Sequence, residues 1–202
     1  MKSLDLFAAL EAHDLDRLAS LLSAKADPNA RKPVPPGWAP LHEAIEQLES
    51  GGPLEALVLL LRYGASVEAG GGDTPLLMAL YRSQPQAVDL LLAHGADANV
   101  RGPEGDSPLR VAVERGDGAT AATLLRCGAV RTIDEVGGPV GASALGIAAR
   151  RLDLPLLELL LRGGADPAAR DADQLTARER LPARTRENQE RLGRAEELLG
   201  RR

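Results

Sequence analysis

The chain has 202 residues, of which 44% are hydrophobic and only 2% aromatic, and its formal net charge is −5 at pH 7. Its core must therefore consist mostly of Leu, Ala and Val, which suits closely packed helices and suits a β-sandwich or barrel poorly. The acidic balance lacks the basic footprint of nucleic-acid and anionic-membrane binders, and no apolar run reaches the about 18 residues of a membrane span.

The first predicted unit covers residues 1–34 and lacks the turn proline that opens the later units. It contains two apolar helical stretches interrupted by charged residues, and Leu6 takes the position of the later units' leucine. Such charges are expected on a solvent-facing cap at the end of a repeat array. Because Asp5 interrupts the apolar residues near the N-terminus, no signal peptide is predicted and a cytoplasmic location is expected.

Four full repeats are predicted next, at residues 35–69, 70–100, 101–136 and 137–170. Related segments open them: WAPLHEA from Trp38, DTPLLMA from Asp73, DSPLRVA from Asp106 and ASALGIA from Ala142. A leucine-rich stretch and a Gly-Ala pair close them, at Gly64, Gly95, Gly128 and Gly164, with spacings of 31, 33 and 36 residues. Constant spacing inside the units and variable spacing between them indicate helix pairs joined by adjustable loops.

The residues within one repeat predict two helices and a turn. Thr74 and Ser107 can each cap a helix whose first turn tolerates the proline that follows. The second helix carries leucines and valines at helical spacing, and the closing glycine suits a left-handed residue after its last turn. One such unit cannot bury its apolar face alone, so the units are expected to stack.

The last predicted unit, residues 171–202, departs from this pattern. Arg178 stands where the inner repeats have leucine, and Pro182 predicts a short or distorted first helix. The segment RENQERLGRAEELLG is amphipathic through Leu192, Ala195 and Leu198. It is therefore predicted to form the closing helix of a C-terminal cap.

The period of about 33 residues, with Thr74-Pro75-Leu76 and Gly95-Ala96-Asp97 in the best copy, resembles the ankyrin repeat and its T-P-L-H-x-A signature. The resemblance covers nearly the whole chain. It implies an all-α ankyrin-repeat solenoid of stacked helix-turn-helix units joined by β-hairpin-like loops, in a single domain over residues 1–202. It also implies that His42, at the signature histidine, braces adjacent turns by hydrogen bonds.

Residues that could support catalysis or bind a metal do not converge. His13, His42 and His94 fall at three different repeat positions, and no second ligand or paired carboxylate lies at a useful spacing. A single cysteine, Cys127, excludes an internal disulfide and a cysteine-based zinc site. The glycine cluster at residues 69–72 lacks the Gly-Lys-Ser/Thr of a phosphate loop, and a tight hairpin is predicted there. The sequence therefore predicts no enzyme, no metal and no cofactor.

The resemblance places partner contacts on a concave face, at the turn residue before T-P-L and at the end of each first helix. The matching residues are Trp38, Asp73, Tyr81, Arg82, Asp106, Glu114, Arg115, Arg150 and Arg151. Trp, Tyr and Arg dominate binding hot spots, and the arginines favour an acidic partner surface. In the alternative interpretation, Trp38 only packs on the prolines of residues 33–36 as a local lid.

The expected function is a non-enzymatic scaffold, adaptor or regulator that binds another protein as a monomer, with no nucleic acid and no membrane. Only three of the 24 basic residues are lysines, which favours a bacterial source. One alternative is an immunity or antitoxin-type inhibitor of a specific toxin or enzyme. Another is a ligand-binding or enzymatic protein using the 131–141 loop, although such a site would need clustered titratable groups and only Asp134 and Glu135 appear there.

Overall fold

The computed structural model describes residues 2–70 and 73–200, with side chains from Asp5 onward. Gly71 and Gly72, in the cluster for which a tight hairpin is predicted, lie outside these residues. The described chain is almost entirely helical, which confirms the all-α prediction. It divides into two compact units, Met1–Asp97 and Ala98–Arg202.

The first unit is built from three helix pairs: α1 (Lys2–Glu11) with α2 (Leu15–Ser23), α3 (Pro40–Leu48) with α4 (Glu55–Arg62), and α5 (Pro75–Tyr81) with α6 (Pro85–Ala93). The first helices pack in a row, α1 on α3 and α3 on α5, and α2 packs on α4. Leu6, Leu41 and Leu76 occupy the same repeat position and are all almost completely buried. The predicted stacking of helix pairs through a leucine core is confirmed within this unit.

Polar side chains begin the helices where the sequence predicts them. The Thr74 hydroxyl accepts a hydrogen bond from the Leu77 amide, and the Ser107 hydroxyl accepts one from the Arg110 amide, both at 3.4 Å. Capping satisfies amide groups that have no partner within the helix. A second set of caps was not predicted: aspartates begin three of the second helices, as where the Asp117 carboxylate accepts from the Thr120 amide at 3.0 Å.

The four glycines that close the repeats have the conformation that the sequence predicts. Their φ angles are +85° at Gly64, +88° at Gly95, +90° at Gly128 and +97° at Gly164. A Cβ atom built on any of them would meet nothing within 4 Å. These positions therefore require glycine because the backbone is left-handed there, and not because a side chain would clash with a neighbour.

The second unit contains α7 (Pro108–Arg115) with α8 (Gly118–Arg126), α9 (Ala144–Arg150) with α10 (Leu154–Arg162), and α11 (Gln189–Leu198). Helix α7 packs on α9, and α10 contacts both α8 and α11. Leu192 and Ala195 of α11 are buried, which confirms the predicted closing helix. The helix that Pro182 was expected to shorten or distort is replaced by turns, because residues 163–188 contain no helix.

A two-stranded sheet lies in the long connection between α8 and α9. Strand β1 (Val136–Gly137) pairs antiparallel with β2 (Ala142–Ser143), with Val136 opposite Ser143. No other strands occur within residues 2–70 and 73–200, so the predicted hairpin-like loops form a ladder only here. The predicted repeat boundary between residues 136 and 137 falls inside β1.

An ion pair organises the turns that precede α11. The Asp171 carboxylate is buried and accepts hydrogen bonds from the Leu175 amide at 3.0 Å and from Arg180 Nε at 2.6 Å. Burial by itself would raise the pKa of the Asp171 carboxyl, but the hydrogen bonds from Arg180 and Leu175 lower it below its ordinary value. The second unit thus ends in a segment held by charge as well as by apolar packing.

Candidate functional site

A cavity of about 330 Å³ opens on the first unit where the loop before α3 meets the loop before α5 and the end of α5. Its walls bring together four of the nine predicted contact residues, from two successive repeats. The lining residues are Pro36, Trp38, His42, Asp73, Met78, Tyr81 and Arg82. The sequence predicted the two aromatic residues and the two charged ones, and it missed the apolar floor that Met78 provides.

Trp38 is fixed by the loop and by the helix that follows it. Its main-chain oxygen accepts a hydrogen bond from the Lys32 amide at 2.9 Å, which closes the proline-containing loop. Its ring stacks on the ring of His42, with centroids 6.5 Å apart and an angle of 12° between the planes. The side chain is only half-buried. Pro36 lines the same cavity, so Trp38 lies beside the linker prolines while one side of it stays open to solvent.

His42 supports the cavity from within the fold. It is 1% exposed, and its Nε2 donates a hydrogen bond to the main-chain oxygen of Asp73, 3.0 Å away, at the start of the next repeat. Its Nδ1 accepts a hydrogen bond from the Ala39 amide at 3.3 Å. Burial lowers the pKa of the His42 imidazole below its ordinary value, and the positive charge of Arg31 acts in the same direction. The expected bracing role of this histidine is confirmed.

Arg82 is already paired within the protein. Its guanidinium lies 2.8 Å from Glu46 Oε2 and 3.3 Å from Glu49 Oε2, both on the preceding repeat. Two carboxylates therefore face one guanidinium. This pairing removes the main argument for an acidic partner surface at Arg82, because the charge that would attract it is more than balanced.

The five predicted contact residues of the second unit have different surroundings. Asp106 is only 7% exposed and forms an ion pair with the buried Arg110, so its carboxylate points inward and is not the exposed contact that was expected. The other four residues are exposed at the ends of α7 and α9, where the guanidinium of Arg151 donates to the main-chain oxygen of Glu114. These four are Glu114, Arg115, Arg150 and Arg151.

Sequence reasoning missed Arg110, the largest side chain that the structure buries almost completely. One signal was available: Asp106 precedes it by four residues, a spacing that brings two side chains together at the start of a helix. Glu114 follows by four more residues and approaches Arg110 Nη1 to 3.2 Å. The pairing shows why a charged residue can replace the signature histidine at this position.

Asp134 and Glu135 of the 131–141 loop contact other segments of the second unit. Asp134 Oδ1 accepts a hydrogen bond from the Asp166 amide at 2.9 Å, and Glu135 forms an ion pair with Arg101. In the described part of the chain, no group of three or more His, Cys, Asp or Glu side chains could hold a metal ion. Nor is any helix of residues 2–70 and 73–200 long and apolar enough to cross a membrane.

Comparisons with known proteins agree on one repeat family. A family model for ankyrin repeats, in three copies, matches residues 6–102 and 49–135. The ankyrin repeat domain of an Acinetobacter baumannii protein is 27% identical, with a TM-score of 0.80 over 96% of this chain and 95% of that one. A chain in the complex of a Bdellovibrio bacteriovorus predatory endopeptidase with an immunity protein is 26% identical, with a TM-score of 0.73 over 95% and 96%.

Curated relatives include proteins that are much longer. The NF-kappa-B inhibitor epsilon of Homo sapiens is 33% identical over 135 residues, which is 63% of this chain and 26% of that protein. The B-cell lymphoma 3 protein homolog of Mus musculus is 38% identical over 96 residues, which is 46% of this chain and 20% of that protein. The chain thus spans about a fifth to a quarter of the length of these two relatives.

Proposed function

The chain belongs to the ankyrin-repeat family, whose repeats mediate protein–protein interaction, and on that premise we propose that it binds a partner protein at the cavity around Trp38 and Tyr81. The observation that carries the proposal is the convergence of these two aromatic side chains from successive repeats on one open cavity. Aromatic residues in a preformed pocket are the usual anchors of binding energy. Such repeat domains are generally non-enzymatic, and we propose that this chain is as well.

We propose that the protein acts as a regulator or adaptor and works as a monomer in a bacterial cytoplasm, without binding nucleic acid. The second candidate function is inhibition of an enzyme that the protein binds. The similarity to a chain in the endopeptidase–immunity protein complex favours this second candidate, an immunity-type inhibitor. The two candidates differ in one measurement, since only an inhibitor lowers the catalytic rate of its purified partner.

Parallel affinity captures identify the partner. The wild-type chain, the Trp38→Ala/Tyr81→Ala double variant and the Tyr63→Ala variant serve as baits in extracts of the native host, and bound proteins are quantified by mass spectrometry. Tyr63 is a matched control because it is a partly exposed tyrosine of the same unit that lies outside the cavity and contacts Ser23 through its hydroxyl. The partner is the protein that the double variant loses and the control retains.

Single substitutions then locate the binding energy. Trp38→Ala and Tyr81→Ala are each expected to weaken binding of that partner by about 1–3 kcal/mol, because each removes an aromatic anchor. Isothermal titration calorimetry measures the affinity, and circular dichroism checks that the helix content is unchanged. Wild-type affinity in both variants, or an equal loss in Tyr63→Ala, would contradict the proposed surface.

A further inference from the structure

The charges around the cavity favour a basic ligand over an acidic one. Asp73 contributes a carboxylate to the wall, and the guanidinium of Arg82, also in the wall, is paired with both Glu46 and Glu49. Three carboxylates and one guanidinium therefore lie in the cavity wall or directly beside it. The resulting field attracts a cation, because the charge of Arg82 is exceeded by that of its own partners.

Arg31 also lies near the cavity, where its charge acts on His42. The guanidinium of Arg31 is turned toward the main chain, where its Nη1 donates to the oxygen of Gly70 at 2.7 Å and to that of Gly37 at 3.4 Å. It is therefore held against the loops and does not line the cavity. With Arg31 included, the carboxylates of the site still outnumber its cations.

The first unit, which contains the cavity, is also negatively charged as a whole. Residues 1–97 carry 13 acidic and 7 basic side chains, a net charge of −6. Residues 98–202 carry 16 acidic and 17 basic side chains, a net charge of +1. A negative first unit would draw a basic partner surface toward the cavity and raise the association rate at low salt.

The aromatic walls select a cation of a particular shape. Trp38 and Tyr81 line the cavity beside the buried, uncharged ring of His42. The cationic side chain in the wall, Arg82, is already paired with Glu46 and Glu49. Cations are attracted to the faces of such rings, and the planar guanidinium of arginine also stacks on them. A volume of about 330 Å³ is large enough to admit one long side chain.

We infer that the cavity receives an arginine side chain of the partner protein, with the guanidinium between Trp38 and Tyr81 and facing the carboxylate of Asp73. This inference rests on the proposed function and names the chemistry that the proposed surface recognises. It reverses the sequence-based expectation of an acidic partner, because that expectation treated Arg82 as an unpaired charge.

A displayed library of random cyclic heptapeptides tests the inference without knowledge of the partner. Peptides are selected on the wild-type chain and counter-selected on Trp38→Ala, so that only ligands of the cavity remain. We expect arginine to be enriched at one position of these peptides. Replacing that arginine with citrulline, which keeps its shape but not its charge, should weaken binding at least about tenfold. Quenching of Trp38, the sole tryptophan, reports binding directly.

Three substitutions in the protein sharpen the test. Asp73→Asn should weaken the arginine peptide about three- to tenfold, whereas Asp89→Asn, which removes an exposed charge elsewhere in the same unit, should leave affinity unchanged. Arg82→Gln should strengthen binding, because it frees Glu46 and Glu49. An acidic ligand would show the opposite response to Arg82→Gln.

The outcomes separate the inference from the proposed function. Peptides that depend on Trp38 but carry no basic residue, or that tolerate citrulline, overturn the arginine inference and leave the proposed surface standing. If no selected peptide depends on Trp38, both the inference and the proposed binding surface fail. Trp38-dependent peptides that require arginine and lose affinity in Asp73→Asn establish the inference.

Discussion

His42 and Arg110 occupy the same position of two repeats, and each satisfies its buried polar side chain in a different way. The imidazole of His42 is neutral and bridges to the next repeat through the main-chain oxygen of Asp73 at 3.0 Å. The guanidinium of Arg110 is charged, only 2% exposed, and bound to Asp106 of its own repeat. One position of the motif therefore accepts either a hydrogen-bonding ring or one half of a buried ion pair.

The connection to the following repeat explains the difference. After Arg110 the chain makes the β1–β2 hairpin, and a Cβ atom on Gly138 would lie only 2.5 Å from Arg110 Nη2. A Cβ atom on Gly137 would lie 2.2 Å from the oxygen of Gly105. The hairpin thus closes directly over the guanidinium, and two glycines without side chains make this approach possible. A guanidinium buried in this way is tolerated only if a carboxylate pairs with its charge.

Removal of the Arg110 guanidinium should have the largest effect on the stability of the protein. Arg110→Ala removes the guanidinium that pairs with the buried Asp106 carboxylate, which is expected to lower the free energy of unfolding by about 3–5 kcal/mol. Urea denaturation followed by circular dichroism measures the change. The double variant Arg110→Leu/Asp106→Ala should lose much less, because it removes both charges of the ion pair. If the single variant loses less than about 1 kcal/mol, the ion pair is not structural.

A substitution in the hairpin should have an intermediate effect. Gly137→Ala forces β1 away from Gly105 and is expected to destabilise the protein by about 1–3 kcal/mol, with faster amide hydrogen exchange at residues 136–143. Gly193→Ala is the matched control, since a Cβ atom there would meet nothing within 4 Å and the residue lies inside α11. That control should stabilise the helix by about 0.5–1 kcal/mol. Equal protection of the hairpin in the variant and the wild type would disprove the close approach.

The smallest effect should appear in the pH dependence of the first unit. Because burial lowers the pKa of His42 in the folded state, the unfolded chain takes up its proton first as the pH falls below about 6.5. Stability should therefore decline from pH 7.5 to pH 5.5. His42→Gln removes the titration and leaves a hydrogen-bonding amide, so its stability should change less over this interval. Identical pH profiles of the two proteins, in urea midpoints, would show that His42 does not contribute.

Local patterns in the sequence determined the fold. The spacing of the Gly-Ala pairs predicted the helix pairs, and the Thr-Pro and Ser-Pro dipeptides predicted where α5 and α7 begin. The four closing glycines predicted left-handed residues, and all four have positive φ. These features depend on interactions over a few residues, or on a stack in which each repeat contacts its neighbours. A single sequence carries that information because the chain repeats it several times.

The tertiary structure alone decided which residues share a site. Nine contact residues followed from the repeat pattern, yet only Trp38, Asp73, Tyr81 and Arg82 line one cavity, and Asp106 turned inward to pair with Arg110. Whether a charged side chain is free or already paired depends on residues one repeat away, as Glu46 and Glu49 show for Arg82. The repeat period determines where the backbone of each residue lies. Ion pairing and loop packing determine where its side chain points. Both kinds of interaction join residues that the repeat pattern does not relate to each other.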